Sequence, residues 1–321
     1  MAERVLVTGA GGFAGGHLLA LLLDERPRPE IVGWRRPSPA GAPARRPRPT
    51  GPGPIVWQEV DVLDRDTVAR AVADLRPQQV YHCAGVAAVA GSWDNRAATL
   101  RTNVMGTAHL LAALERSAPA ARVLLPGSAL VYRPHDGPLD EHAAIGPVSP
   151  YGLSKLAQEM LAARYGAGGP QVVRTRSFTH IGPGQDESYA ASSFACQVAR
   201  IEAGKAEPTL RVGDLEARRD LLDVRDTVRA YRALMERGVP GAIYNVCSGS
   251  AHPMRDVLAG LLAQARIRIQ VRVDPARLRP GDYPVLLGDR SRITADVGWE
   301  PRIGLHETLR DLLAYWRARR A

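Results

Sequence analysis

The stretch Val5-Leu6-Val7-Thr8-Gly9-Ala10-Gly11-Gly12-Phe13-Ala14-Gly15 reads as a buried strand, a glycine-rich turn and the start of a helix, and it decides the fold. Gly9 permits the tight turn, Gly12 lets backbone approach a pyrophosphate, and Gly15 lets the helix pack closely on the strand. The helix N-terminus then offers free N–H groups and a favourable dipole to a phosphate. Leu18, Leu19, Leu21, Leu22 and Leu23 supply apolar positions at helical spacing. Downstream, strands are expected at Ile31–Trp34, Ile55–Trp57, Gln79–His82, Arg122–Leu125 and Gln171–Thr175. Helices are expected between them over about Asp64–Leu75, Asn95–Arg116 and from Pro150. Strands that alternate with helices and are apolar on both faces predict an α/β chain with a Rossmann-like, doubly wound parallel sheet.

The second half has longer helices and arginine-rich turns, with strands expected at Ile243–Val246 and Ile267–Val273 and a last helix over about Leu305–Arg319. Residues 1–175, with a later contribution from about 220–250, are assigned to an NAD(P)-binding domain, and 176–321 mainly to a smaller C-terminal α/β substrate domain. Between Arg35 and Pro54, seven prolines and five arginines predict an extended, mobile surface loop.

Composition narrows the class. At 45% hydrophobic and 23% charged, the 321 residues fit a soluble globular chain. The longest apolar run, Leu18–Leu23, is far short of the roughly 20 residues that span a bilayer, and the first residues do not read as a signal peptide. Cys83, Cys196 and Cys247 are widely separated, which gives no disulfide framework and no metal-ligand spacing and points to a reducing, cytoplasmic home. Lys+Arg exceeds Asp+Glu by 42 to 33, a formal net charge of +9. That suits an anionic partner, although genomic base composition also enriches arginine. With aromatics at 5% there are few platforms for stacking single-stranded nucleic acid, so neither nucleic acid nor a membrane is expected as a partner.

The end of the second strand carries Trp34-Arg35-Arg36 where an acid binds the adenosine ribose in NAD-binding proteins. A guanidinium suits a 2′-phosphate, so NADP(H) is favoured over NAD(H). Asp61-Val62 follows the third strand, where a carboxylate can take the adenine amino group. In Ser149-Pro150-Tyr151-Gly152-Leu153-Ser154-Lys155, Ser149 is an N-cap and Pro150 the first helical residue. Tyr151 and Lys155 therefore share one helix face, a pair able to exchange a proton beside a hydride carrier.

Gly9, Gly12 and Gly15 with Tyr151 and Lys155 at this separation resemble the extended short-chain dehydrogenase/reductase family. The likeness extends to Tyr81-His82-Cys83-Ala84-Gly85, to Asn103-Val104-Met105-Gly106-Thr107, and to Ser128 four residues before Tyr132. It implies that Ser128 hydrogen-bonds the reacting oxygen, Tyr151 transfers the proton, and Lys155 holds the nicotinamide ribose and lowers the tyrosine pKa. It further implies cofactor contacts from Phe13, Ala84 and Phe178, and a homodimer built on the helices at about Asn95–Arg116 and Pro150–Tyr165.

Within that family the chain resembles the nucleotide-sugar enzymes, most of all the GDP-4-keto-6-deoxy-mannose reductases. The resemblance is carried by Arg176-Ser177-Phe178-Thr179-His180-Ile181-Gly182-Pro183-Gly184, by Leu210 to Asp226, by Tyr244 to Gly249 and by Asp274 to Pro280. It implies that Arg219 and Arg279 clamp the substrate diphosphate. Thr179 stands where the family has Asn and makes only part of that contact. Ala129 and Leu130 stand where dehydratases carry an Asp-Glu pair, which argues against water elimination. The expectation is therefore NADPH-dependent reduction of a 4-keto group on a nucleotide-linked 4-keto-6-deoxyhexose, with a GDP-sugar favoured. A 4-epimerase uses the same residues and stays open, as does a dinucleotide-sensing regulator that does not turn over.

Overall fold

Val5 and Val7 of β1 (Arg4–Thr8) enter one apolar layer and Leu6 the other, the alternation of a strand covered on both faces. The computed structural model describes residues 3–37, 54–87, 89–166, 168–278 and 283–320. Around β1 lie β2 (Glu30–Arg35), β3 (Val56–Glu59), β4 (Gln79–His82), β5 (Arg122–Pro126), β6 (Gln171–Ser177) and β10 (Ile243–Val246), in one parallel sheet ordered β10-β6-β5-β4-β1-β2-β3. The chain winds from β1 to β3 on one side, then returns to β4 and continues to β10 on the other. The direction reverses between β1 and β4, where a doubly wound sheet opens its ligand crevice at the carboxyl ends of the strands.

The Phe13–Leu23 helix buries Leu18, Leu19, Leu22 and Leu23 against one face of the sheet, each such side chain contributing about 1.5–3 kcal/mol. The helices Arg65–Leu75 and Gly106–Ser117 cover the other face. Beyond β6 a second layer forms around β9 (Arg218–Asp223), which pairs with β7 (Thr179–Ile181), β11 (Ala251–Pro253) and β13 (Val285–Leu286). Strands β8 (Thr209–Val212) and β12 (Gln270–Val273) form a separate parallel pair. The core of this half lies between the helices Ala190–Glu202, Met254–Leu262 and Leu305–Arg320.

Three expectations shift. The third strand begins at Val56, where its ladder with β2 starts. The strand expected from Ile267 begins at Gln270, where its ladder with β8 starts opposite Thr209. The helix expected over Asn95–Arg116 is wound as Arg96–Leu100, a π-helical turn Arg101–Met105, and Gly106–Ser117. The wider turn carries Asn103, whose amide satisfies both backbone groups of Val86 and donates to Ser154 Oγ at 2.8 Å. π turns of this kind are frequent at functional sites. The basic loop expected between Arg35 and Pro54 falls, over 38–53, outside the described residues.

Candidate active site

Gly9 has φ +65°, and a Cβ there would sit 2.6 Å from the Ala84 nitrogen. A left-handed residue pressed against the end of β4 has to be glycine. At Gly15 a Cβ would lie 2.4 Å from the Gly9 carbonyl, so the helix closes directly on the turn; at Gly11 one would meet nothing within 4 Å. Gly12 is the N-cap. The turn is thus tight toward the protein and open along Gly11, a cradle that fits the diphosphate of a dinucleotide. Phe13 stacks on His180 from the second half, ring centroids 5.8 Å apart at 14°, and His17 Nε2 bonds the Pro183 carbonyl at 2.7 Å. Ala84 donates its N–H to Thr8 Oγ1 at 3.1 Å.

At the end of β2, Arg35 pairs with Glu59 at 3.0 Å, while its buried Nε has no hydrogen-bond partner among the described residues. Arg36 is 81% exposed and lies 3.8 Å from Asp61. Asp61 Oδ1 accepts from Leu63 N at 3.0 Å, and Val62 is buried with its carbonyl bonded to His109 Nδ1.

Ser128 follows β5 as N-cap of a short 3₁₀ turn, Ala129–Val131, its Oγ accepting from Leu130 N. The Pro150–Ala162 helix starts at Ser149, whose hydroxyl accepts from Gly152 N at 3.0 Å. A Cβ on Gly152 would lie 2.3 Å from the Leu130 carbonyl; this close approach packs the start of the helix against the 3₁₀ turn and brings Tyr151 near Ser128, whose hydroxyl acts to lower the phenol's pKa. The helix is locked onto β6 by a buried Arg176–Glu159 pair at 2.7 Å, with the Arg176 guanidinium 4.7 Å over the Tyr132 ring.

Lys155 is buried and donates to the Pro126 carbonyl at 3.0 Å and to Gln158 Oε1 at 2.9 Å. Burial pulls its ammonium down to about 8. Burial pushes the Tyr151 phenol well up, and Tyr189 adds to this, while the Ser128 hydrogen bond works the other way. The expected lowering of the tyrosine by Lys155 is therefore not what the side chains of this site produce. Desolvation dominates, and the ammonium is held by the carbonyl and the amide. A phenol that stays protonated at neutral pH is suited to giving a proton.

On the substrate side, Thr179 opens β7, half-buried and opposite Leu221. Phe178 is 3% exposed and belongs to a small core with Tyr132, Cys247 and Tyr283. Arg219 is half-buried and donates to the Tyr283 carbonyl at 2.6 Å. Arg279 lies outside the described residues. The polar groups His82, Asn103, Thr107 and Gln158 meet behind Lys155. Sequence spacing gave Gln158 only one signal, a polar residue three after Lys155 on the same helix face.

The seven-stranded doubly wound sheet with a glycine turn at its crevice is the fold of the extended short-chain dehydrogenases/reductases. The model of the GDP-mannose 4,6-dehydratase family matches residues 6–312, and the chain belongs to that family. It is 34% identical to a GDP-6-deoxy-D-mannose reductase of Pseudomonas aeruginosa, over 99% of both chains. The structure of RMD from Pseudomonas aeruginosa complexed with NADPH superposes with a TM-score of 0.84 at 32% identity, covering 99% of this chain and 100% of that one. The UDP-glucose 4-epimerase of Thermus thermophilus, solved with NAD, gives 0.84 at 28% identity over 98% and 99%. Among the described residues no helix is long and apolar enough to cross a membrane.

Proposed function

We propose that the protein reduces the 4-keto group of a GDP-linked 4-keto-6-deoxyhexose with NADPH. The observation that carries this reading is the set Ser128, Tyr151 and Lys155 at the crevice, with apolar Ala129 and Leu130 directly after the serine. Elimination of water across the sugar needs a separate acid and base, which alanine and leucine cannot supply; a reduction needs only one proton donor. The 34% identity to a GDP-6-deoxy-D-mannose reductase supports the same choice.

In this reading residues 1–175 with about 220–250 hold the dinucleotide, and the rest of 176–321 holds the sugar nucleotide. The turn from Gly9 to Gly15 takes the diphosphate, Arg35 and Arg36 the 2′-phosphate, Asp61 and Val62 the adenine end, and Lys155 the nicotinamide ribose. When bound, the reduced nicotinamide supplies the hydride that reaches C4. Ser128 holds the carbonyl oxygen, and Tyr151 gives it a proton as negative charge develops. Arg219 grips the diphosphate of the sugar and Thr179 the adjoining part. Fixing that end limits the directions from which C4 can approach, which lowers the entropic cost of the step. Nucleotide sugars and NADPH as reactants agree with a cytoplasmic location.

A second reading, a nucleotide-sugar 4-epimerase, is favoured by the likeness to the Thermus thermophilus enzyme. Retention of Ser128, Tyr151 and Lys155 speaks against a non-catalytic sensor. The test is a panel of GDP-, UDP-, TDP- and CDP-4-keto-6-deoxysugars, followed by NADPH and NADH absorbance. One equivalent of NADPH oxidised per product, fastest with the GDP-sugar and slower with NADH, is the expected result. No reduction of any 4-keto sugar, together with interconversion of a 4-hydroxy nucleotide sugar and its C4 epimer without net loss of absorbance, would make it an epimerase.

We also propose a homodimer through the Pro150–Ala162 helix and its neighbour. Leu153, Met160 and Met105 are 49%, 63% and 46% exposed there, apolar area that a second copy would cover. Analytical ultracentrifugation is expected to give a dimer at micromolar concentration and, for Met160→Glu, a monomer; a monomeric parent chain would remove the proposal.

A further inference from the structure

Behind the reacting groups runs a chain of buried hydrogen bonds whose donors and acceptors can be assigned one by one. Thr107 donates its only hydroxyl proton to the Asn103 carbonyl at 2.7 Å. Its oxygen must then accept from Gln158 Nε2 at 2.7 Å and from His82 Nε2 at 3.0 Å. His82 is therefore the neutral tautomer protonated at Nε2, and its Nδ1 accepts from Thr8 Oγ1 at 2.8 Å. Thr8 in turn accepts the N–H of Ala84. Burial and the Lys155 ammonium pull His82 down to about 3, in keeping with a ring that stays neutral. Because Gln158 Nε2 is committed to Thr107, its amide cannot flip, and Oε1 must face the Lys155 ammonium at 2.9 Å.

We propose that Gln158 is the positioning residue of Lys155: its locked amide oxygen fixes where the ammonium points and sets how tightly it holds its proton. Two neutral acceptors, the Pro126 carbonyl and Gln158, take the place of a carboxylate beside this buried cation. A neutral acceptor orients the ammonium without neutralising it. The titratable groups coupled to it are His82 and Cys83 beyond β4; Tyr151, on its own helix, is governed by burial, Tyr189 and Ser128. Glu159, the next residue after Gln158, is taken up by Arg176, and the Arg101–Met105 turn and Gly106–Ser117 helix present Asn103 and Thr107 to the network. The inference rests on the proposed reaction for its purpose but on these bonds for its content.

The chain contains two lysines, Lys155 and the exposed Lys205, so isotope-labelled lysine gives two NMR signals, one of them an internal reference. Titration of the parent chain, of Gln158→Glu and of the near-isosteric apolar Gln158→Met requires no substrate. We expect the Lys155 pKa to rise by about one unit or more in Gln158→Glu and to fall in Gln158→Met, with Lys205 unmoved, since an opposite charge favours the ammonium and loss of an acceptor disfavours it. The alkaline limb of kcat against pH is expected to follow the same shifts. A Lys155 titration unchanged in both folded variants would overturn the proposal. A parent chain that leaves every 4-keto sugar untouched would instead defeat the proposed reaction and leave the titration result standing.

Discussion

Tyr151→Phe is expected to lower kcat by about 10²–10⁴-fold, the range that a positioned acid contributes, while the NADPH dissociation constant changes little. The ring of Tyr151 is buried, so phenylalanine preserves the packing and removes only the hydroxyl that meets Ser128. A phenol is already protonated at neutral pH, and burial raises its pKa further. The variant therefore loses a proton donor in its working form, with no base to recover. Single-turnover absorbance with saturating NADPH isolates the chemical step, and fluorescence titration of NADPH reports binding. A Tyr151→Phe variant that keeps most of its single-turnover rate would mean that the proton comes from elsewhere.

The second large effect is expected at the head of the sheet. Gly9→Ala must adopt φ +65° and bring its Cβ within 2.6–2.7 Å of the Ala84 and Cys83 backbone. The left-handed conformation alone costs about 1–2 kcal/mol in an L-residue. The backbone contacts cannot be relieved by a rotamer change, because the opposing atoms belong to the end of β4. Separating β1 from β4 there also strains the Thr8 hydroxyl, which holds Ala84 N and His82. Unfolding in urea is expected to report a loss of at least about 2 kcal/mol, and NADPH affinity to fall more than tenfold. Gly11→Ala is the control: its Cβ meets nothing within 4 Å, so stability is expected to hold while dinucleotide affinity drops.

Much of the site was legible because it is written in short stretches. Ser149-Pro150 announced a helix start, and the structure has that cap with Pro150 as its first helical residue. Tyr151 and Lys155 had to share a face once that helix formed. The strands of the parallel sheet were legible as continuous apolar runs, since both faces are covered. Of the short strands of the second half, Ile243–Val246 and Gln270–Val273 were legible and those around β9 were not. Arg218–Asp223 carries two arginines and two aspartates in six residues, yet both aspartates are buried and are satisfied from distant segments, Asp220 by Ser248 and Gly249 and Asp223 by Thr308. The π-helical turn at Arg101–Met105 was likewise illegible, since its cause is a hydrogen bond to Val86 and Ser154 from outside the helix.

What the order of residues settled unaided was local: the glycine turn after β1, the helix that follows it, the alternation that makes the sheet parallel, and the pairing of a phenol with an amine on one helical face. Periodicity and turn chemistry act over a few residues, and they leave their pattern in the string. Tertiary structure alone decided the charge states and the company those groups keep. Burial raised the phenol that a neighbouring cation was expected to lower. Gln158 came to hold Lys155 because Thr107, 51 positions earlier, fixes its amide. Desolvation and long-range hydrogen bonding depend on which segments are brought together in space, a property no single stretch of the chain carries.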